Sequence, residues 1–127
     1  MAQKKKNTVP ENTNQLLSVI IDAIQDKKGK EIIDIDLGPT GSAICDHFVI
    51  CHGDSTTQVD AIANHVEQMV KSELNEKVFH SEGFENSQWV LLDYSDIVVH
   101  VFQKPYRDFY KLEELWADGH LKYIKEE

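Results

Sequence analysis

Ile44-Cys45-Asp46-His47-Phe48-Val49-Ile50-Cys51, continued after His52-Gly53-Asp54 by Ser55-Thr56-Thr57-Gln58-Val59, is the stretch that decides the architecture. Residues 44–51 form a near-continuous apolar run of strand length, the composition of a central strand covered on both faces. Ser55 to Gln58 has the form of a capping box: the serine accepts the amide three residues on, and the glutamine reaches back. Behind it Val59, Ile62, Ala63, Val66, Val70 and Leu74 make an apolar stripe one helix face wide, and Asn75 suits its C-terminal stop.

Upstream, Leu16, Leu17, Val19, Ile20, Ala23 and Ile24 repeat at helical spacing, with Asn12 or Thr13 as cap and Gly29 as terminator. Glu31 to Leu37 alternates as a strand, with Ile33 and Ile35 on one side and Ile32, Asp34 and Asp36 on the other. Gly38 to Ser42 is a turn by composition. Downstream, Lys77 to Ser81 reads as a short strand. Trp89–Asp93 and Ile97–Phe102 read as a β-hairpin around Tyr94-Ser95. Pro105 opens a helix to about Trp116, with Tyr106, Phe109, Leu112, Leu115 and Trp116 as packing candidates. The expected order is αββαβββα: a single α/β (α+β) domain whose mixed sheet of about five strands is flanked by helices. Its bounds are set at 12–118, between a flexible basic arm (1–11) and a loose charged tail (119–127).

A chain of 127 residues suits one domain with one core. No apolar run approaches the ~20 residues of a membrane span, and no apolar region follows Lys4-Lys5-Lys6 as in a secretory signal. Two cysteines make no disulfide framework, so reduced thiols and a cytoplasmic location are expected. The net charge of −9 disfavours direct binding to a phosphate backbone and would steer a basic protein toward this surface.

Candidate chemistry is thin. Cys45, His47, Cys51 and His52 are metal-ligand types, and alternation puts the first three on one face. Cys45 and Cys51, however, would lie about 20 Å apart on an extended strand, too far for one ion. No metal is expected. Asp34 and Asp36, two residues apart on a strand, resemble the paired acids that hold Mg²⁺ in nucleotidyl transfer. In such transferases Gly-Ser precedes the acids, whereas Gly41-Ser42 follows them here. A solvated edge strand accounts for both carboxylates. His100, between Val99 and Val101, reads as a histidine hydrogen-bonded within the sheet. No catalytic residue and no cofactor is assigned.

Several segments together carry a resemblance. Asp46 to Ser55, Gln58 to Ala63, Glu82-Gly83, Trp89-Val90-Leu91-Leu92-Asp93-Tyr94-Ser95-Asp96-Ile97-Val98-Val99-His100-Val101-Phe102 and Arg107-Asp108-Phe109-Tyr110-Lys111-Leu112-Glu113-Glu114-Leu115-Trp116 occur in that order, and the chain resembles the ribosomal silencing factor family (RsfS, also called Iojap). The match spans about Leu16 to Trp116; His47 replaces the family's usual Tyr.

The resemblance implies a nucleotidyltransferase-like topology without the catalytic constellation. It implies binding to the large ribosomal subunit through its fourteenth protein, a basic protein on the intersubunit face. Joining of the small subunit is then blocked and translation repressed under nutrient limitation. By the same analogy Trp89 is the apolar anchor, with Asp93, Tyr94, Asp96 and His100 as polar partners and Arg107 and Tyr110 beside them. A homodimer when free is compatible with it. Assembly of the large subunit and, further off, a Mg²⁺-dependent nucleotidyltransferase are the alternative functions.

Overall fold

The computed structural model describes residues 5–38 and 45–125, with side chains from Asn12 onward. The elements are α1 (Lys5–Asp26), β1 (Lys30–Asp36), β2 (His47–Gly53), α2 (Thr56–Leu74), β3 (His80–Glu82), β4 (Trp89–Asp93), β5 (Ile97–Gln103), α3 (Lys104–Tyr110), α4 (Leu112–Leu115) and β6 (His120–Tyr123). The strands form one six-stranded sheet in the order β3-β4-β5-β2-β1-β6. β2 and β5 run parallel at its centre, and every other pair is antiparallel. A parallel neighbour requires a crossover, and α2 lies within that connection.

The serine cap forms as the sequence predicts, while the glutamine reaches back one residue further than a capping box, to Asp54. Gln58 N donates to Ser55 Oγ at 3.1 Å, and Asp54 N donates to Gln58 Oε1 at 2.8 Å. Asn75 ends α2 in the left-handed conformation (φ 54°), where Asn is among the few non-glycine residues at ease. The stripe Val59, Ile62, Ala63, Val66 and Val70 is buried with Leu16, Ile20, Ala23 and Ile24 of α1 against one sheet face. That face supplies Ile32, Val49, Cys51, Val90, Leu92, Val99 and Val101. The other face presents Ile33, Ile35, Phe48, Ile50, Val98 and Phe102 to Leu112, with Trp89, Leu91, Tyr106, Trp116 and Leu121 packed alongside. β2 and β5 are thus apolar on both sides, which is why they read as near-continuous hydrophobic runs.

Four expectations need correction. The helix called from Asn12 begins at Lys5, within the segment read as an arm. Pro10 is the sixth residue of α1, where its missing N–H leaves one backbone hydrogen bond of the helix unmade. Residues 120–123, read as loose tail, form β6, which pairs with β1 from Ile33↔Tyr123 to Asp36↔His120. β1 is therefore an inner strand. Asp34 is buried, accepting from His47 Nδ1 at 2.7 Å, rather than lining a solvated edge. The helix expected to run from Pro105 to Trp116 is split by Lys111, which is left-handed at φ 49°. Most of the turn read at Gly38 to Ser42 lies outside the described residues.

Candidate docking face

The β4–β5 hairpin and the helix that follows carry the residues expected to dock. Asp93 Oδ1 accepts from the amide of Ser95 at 2.8 Å, and Ser95 takes the positive φ (73°) that lets so short a connection close. Gly83 lies beneath β4 at φ 95°, and a Cβ there would stand 2.1 Å from the Trp89 carbonyl oxygen, so only glycine fits.

Strand alternation sends Trp89, His100 and Phe102 to the α3–α4 side. The Trp89 ring stacks on Phe102 at 4.8 Å and lies 4.9 Å from Tyr110, which meets Phe109 edge-on at 5.1 Å. On the other flank His100 meets Phe48 edge-on at 5.0 Å, and Phe48 meets Trp116 at 5.2 Å. The rings form a continuous band from Trp116 to Phe109. Its outer end is uncovered: Phe109 is 77% exposed and Tyr110 48%. Leu115, one turn on in α4, is 75% exposed. Large apolar side chains in water close to one another are the raw material of an interface.

His100 lies inside this band. Its Nδ1 accepts from the Trp89 indole at 3.1 Å, while its buried Nε2 has no partner. Burial pushes its pKa down to about 4, so the ring is neutral at physiological pH.

The expected site residues do not all meet. Trp89, His100 and Tyr110 share one face. Arg107 is buried beneath it, 3% exposed, and presents nothing to a partner. Asp93 closes the hairpin turn. Tyr94 points to the opposite side of the sheet, into the core under α1 and α2, with a buried hydroxyl that finds no partner. Asp96 accepts from Thr13 Oγ1 of α1 at 3.2 Å. Leu115, expected in the core, and Phe109 are instead the exposed apolar tips. The signal that separates them from Leu112 is the break at Lys111, which no residue type announces.

The metal and carboxylate candidates are placed as follows. Cys45 packs in the core of the α3–α4 face and Cys51 in the opposite one, so they do not share a face as alternation suggested. Burial pushes their thiols up to about 11 and about 12. Among the described residues, no group of three or more His, Cys, Asp or Glu side chains is placed to hold a metal ion. Asp36 Oδ1 is taken up by the Gly38 amide at 2.9 Å. No helix among the described residues is long and apolar enough to cross a membrane.

The family model for the ribosomal silencing factor during starvation matches residues 10–127. The chain belongs to the ribosomal silencing factor family. It is 40% identical over 108 residues to the ribosomal silencing factor RsfS of Halalkalibacterium halodurans, covering 85% of this chain and 91% of that one. It is also 40% identical over 110 residues to the RsfS of Bacillus subtilis, covering 87% and 92%. Among solved structures, a Chromobacterium violaceum protein superposes with a TM-score of 0.78 at 35% identity, over 88% of this chain and 92% of that one. The mixed sheet flanked by helices is therefore the silencing factor fold, and the family's role is regulatory.

Proposed function

We propose that this protein docks on the large ribosomal subunit through its fourteenth protein, using the end of the aromatic band, and prevents the small subunit from joining. The observation that carries this reading is the exposed pair Phe109 and Tyr110, adjoining a Trp89 already ordered by Phe102 and His100, with Leu115 exposed on the helix that follows. An aromatic anchor held rigidly beside exposed apolar groups loses little entropy on binding, which is the profile of a hot spot. The −9 charge favours encounter with a basic ribosomal protein over the surrounding RNA.

The mechanism is occlusion and needs no chemistry: the protein holds one site against a competitor, and mass action decides the split. Trp89 and Tyr110 are the proposed contacts, with His100 acting from behind Trp89. Asp93 and Asp96 border the hairpin, and Tyr94 supports it from the opposite core. A second copy covering the same apolar tips would give a homodimer when free, which the ribosome would have to displace. The region that acts is residues 12–118 together with β6.

The test is co-sedimentation of the full chain with isolated large and small subunits, followed by a subunit-joining assay. Retention on the large subunit alone, with fewer joined ribosomes, supports the reading. Retention without an effect on joining would redirect it to large-subunit assembly. Absence of retention would overturn it, and Mg²⁺-dependent nucleotide turnover would then be assayed with Asp34 and Asp36 substituted.

A further inference from the structure

α3 has seven residues and ends at a left-handed lysine. A helix that short does not hold itself in water, so its rotational phase is set by what it is tied to. Pro105 fixes the entry of the chain, but the proline ring makes no polar contact that could fix the phase.

Arg107 does. From α3 its Nη1 lies 2.9 Å from His52 Nδ1 of β2 and donates to the Lys30 carbonyl of β1 at 3.3 Å. Its Nε stands 3.5 Å from Glu113 Oε2 of α4. One planar fork thus reaches β1, β2 and α4. A buried guanidinium is poor value as a source of stability, since an apolar side chain of similar volume would fill the space at less desolvation cost. What the fork supplies is direction, because its donors lie in a fixed plane. With Arg107 held inward, Phe109 two residues on faces solvent, and Tyr110 one turn on reaches Trp89.

We propose that Arg107 is a positioning residue of the docking face, not a contact on it: tied to His52 and the Lys30 carbonyl, it sets how α3 presents Tyr110 and Phe109 beside Trp89. This rests on the docking reading above, which it deepens.

The tie has a chemical condition. Arginine only donates, so His52 Nδ1 must carry a lone pair, and its proton must be on Nε2. Protonation of His52 puts hydrogen on both nitrogens, breaks the bond and buries a second positive charge against the first. His52 is almost wholly buried. Charged groups surround it from each packed element: Arg107 and Lys104 on α3, Glu31 on β1, and Asp54 just beyond β2, with Lys30 opposite it in the β1–β2 register. Burial and the two cations favour the neutral ring, while Glu31 and Asp54 oppose them. The docking face is therefore set at neutral pH and released in acid.

The experiment uses the full chain with purified large subunits, from about pH 7.5 to about pH 5.5, the range in which histidine titrates. The indole N–H resonance of Trp89 in the free protein is followed over the same range. His52→Asn places an amide oxygen near the Nδ1 position, where it accepts but does not titrate. Arg107→Met removes the fork at similar volume, and Arg107→Lys keeps only the charge.

Arg107→Met is expected to weaken large-subunit binding about tenfold or more and to move the Trp89 indole resonance, with Arg107→Lys unable to restore either. Wild type is expected to lose about fivefold in affinity toward pH 5.5, whereas His52→Asn binds as wild type at pH 7.5 and stays flat. Arg107→Met binding within threefold of wild type with an unmoved indole would overturn the proposal. So would a parallel acid loss in wild type and His52→Asn. If Arg107→Met does not fold, Arg107→Lys and the His52→Asn pH profile decide. If wild type does not bind the large subunit at all, the docking reading fails, and the indole titration still decides whether His52 and Arg107 set the face.

Discussion

The Trp89 indole donates to His100 Nδ1 at 3.1 Å, diagonally across the β4–β5 ladder, and in doing so it decides the tautomer of a buried ring. His100 must then carry its proton on Nε2, where nothing accepts it. The sheet tolerates one unsatisfied N–H, and the result is an indole held from behind by a hydrogen bond and by the Phe102 ring.

Substituting that indole should separate binding from folding. Trp89→Ala is expected to reduce affinity for the large subunit by about 30-fold, the ~2 kcal/mol of a hot spot. Equilibrium sedimentation with isolated subunits measures it, and a loss under about threefold would remove Trp89 from the interface.

Leu115 offers the converse. It is exposed, so Leu115→Ser should shift stability by no more than ~0.5 kcal/mol, as for other surface changes. If the apolar tips bind, the same change weakens large-subunit retention severalfold. Chemical denaturation and co-sedimentation on one preparation give both numbers.

Tyr94 lies on the far side of the sheet with a buried, unpartnered hydroxyl, and its pKa is pushed up by burial and by Glu67 and Glu76 nearby. Removing the orphaned group leaves an apolar ring of nearly the same shape. Tyr94→Phe should therefore be neutral or stabilising, by up to ~1 kcal/mol, with binding unchanged. A loss of affinity in a stably folded Tyr94→Phe protein would return this residue to the docking face.

Two histidines should leave opposite marks on the pH dependence of stability. His100 is held well below its ordinary value by burial, so its neutral form is favoured by folding. That contribution is present above about pH 6.5 and is lost as pH falls toward 4. His47 is shifted upward, chiefly by the hydrogen bond to Asp34. Its contribution is present below about pH 6.5 and is lost as pH rises through its folded pKa. Thermal melts of His47→Gln and His100→Gln across this range should show wild type's advantage over the first shrinking in alkali, and over the second shrinking in acid. A gap that does not change with pH in either variant would mean that histidine does not titrate as its surroundings dictate.

The central strands and α2 could be read from residue types because local chemistry and global burial agree there. Phe48 to Cys51 are apolar on both faces because both faces are covered, and Ser55 to Gln58 cap the helix they precede. The disagreements have physical causes. Lys111 takes a left-handed conformation that a lysine has no intrinsic reason to adopt, and that single residue turns Leu115 out and leaves Leu112 in. His120 to Tyr123 is short and mostly exposed, with Leu121 alone packed against the core, so its pairing with β1 is what makes it a strand. Pairing across so much sequence leaves no local pattern. The docking candidates divided the same way: side-chain type marked Trp89 and Tyr110, but which way Tyr94 and Arg107 point depends on register and on a buried histidine in another strand.

The parallel seam of β2 against β5 has a kinetic consequence. The β1–β2 and β4–β5 hairpins are each local and close quickly, but the seam that joins them must wait for the whole α2 crossover to be spanned. β6 then closes onto β1 from the far end of the chain. Refolding should be limited by that central joining. Core truncations along the seam, such as Ile50→Val or Val99→Ala, should slow folding, while lesions in α3 and α4 mainly hasten unfolding. The α3–α4 side is thus assembled on a frame whose slowest step is already over, and it can loosen and reform without the sheet coming apart.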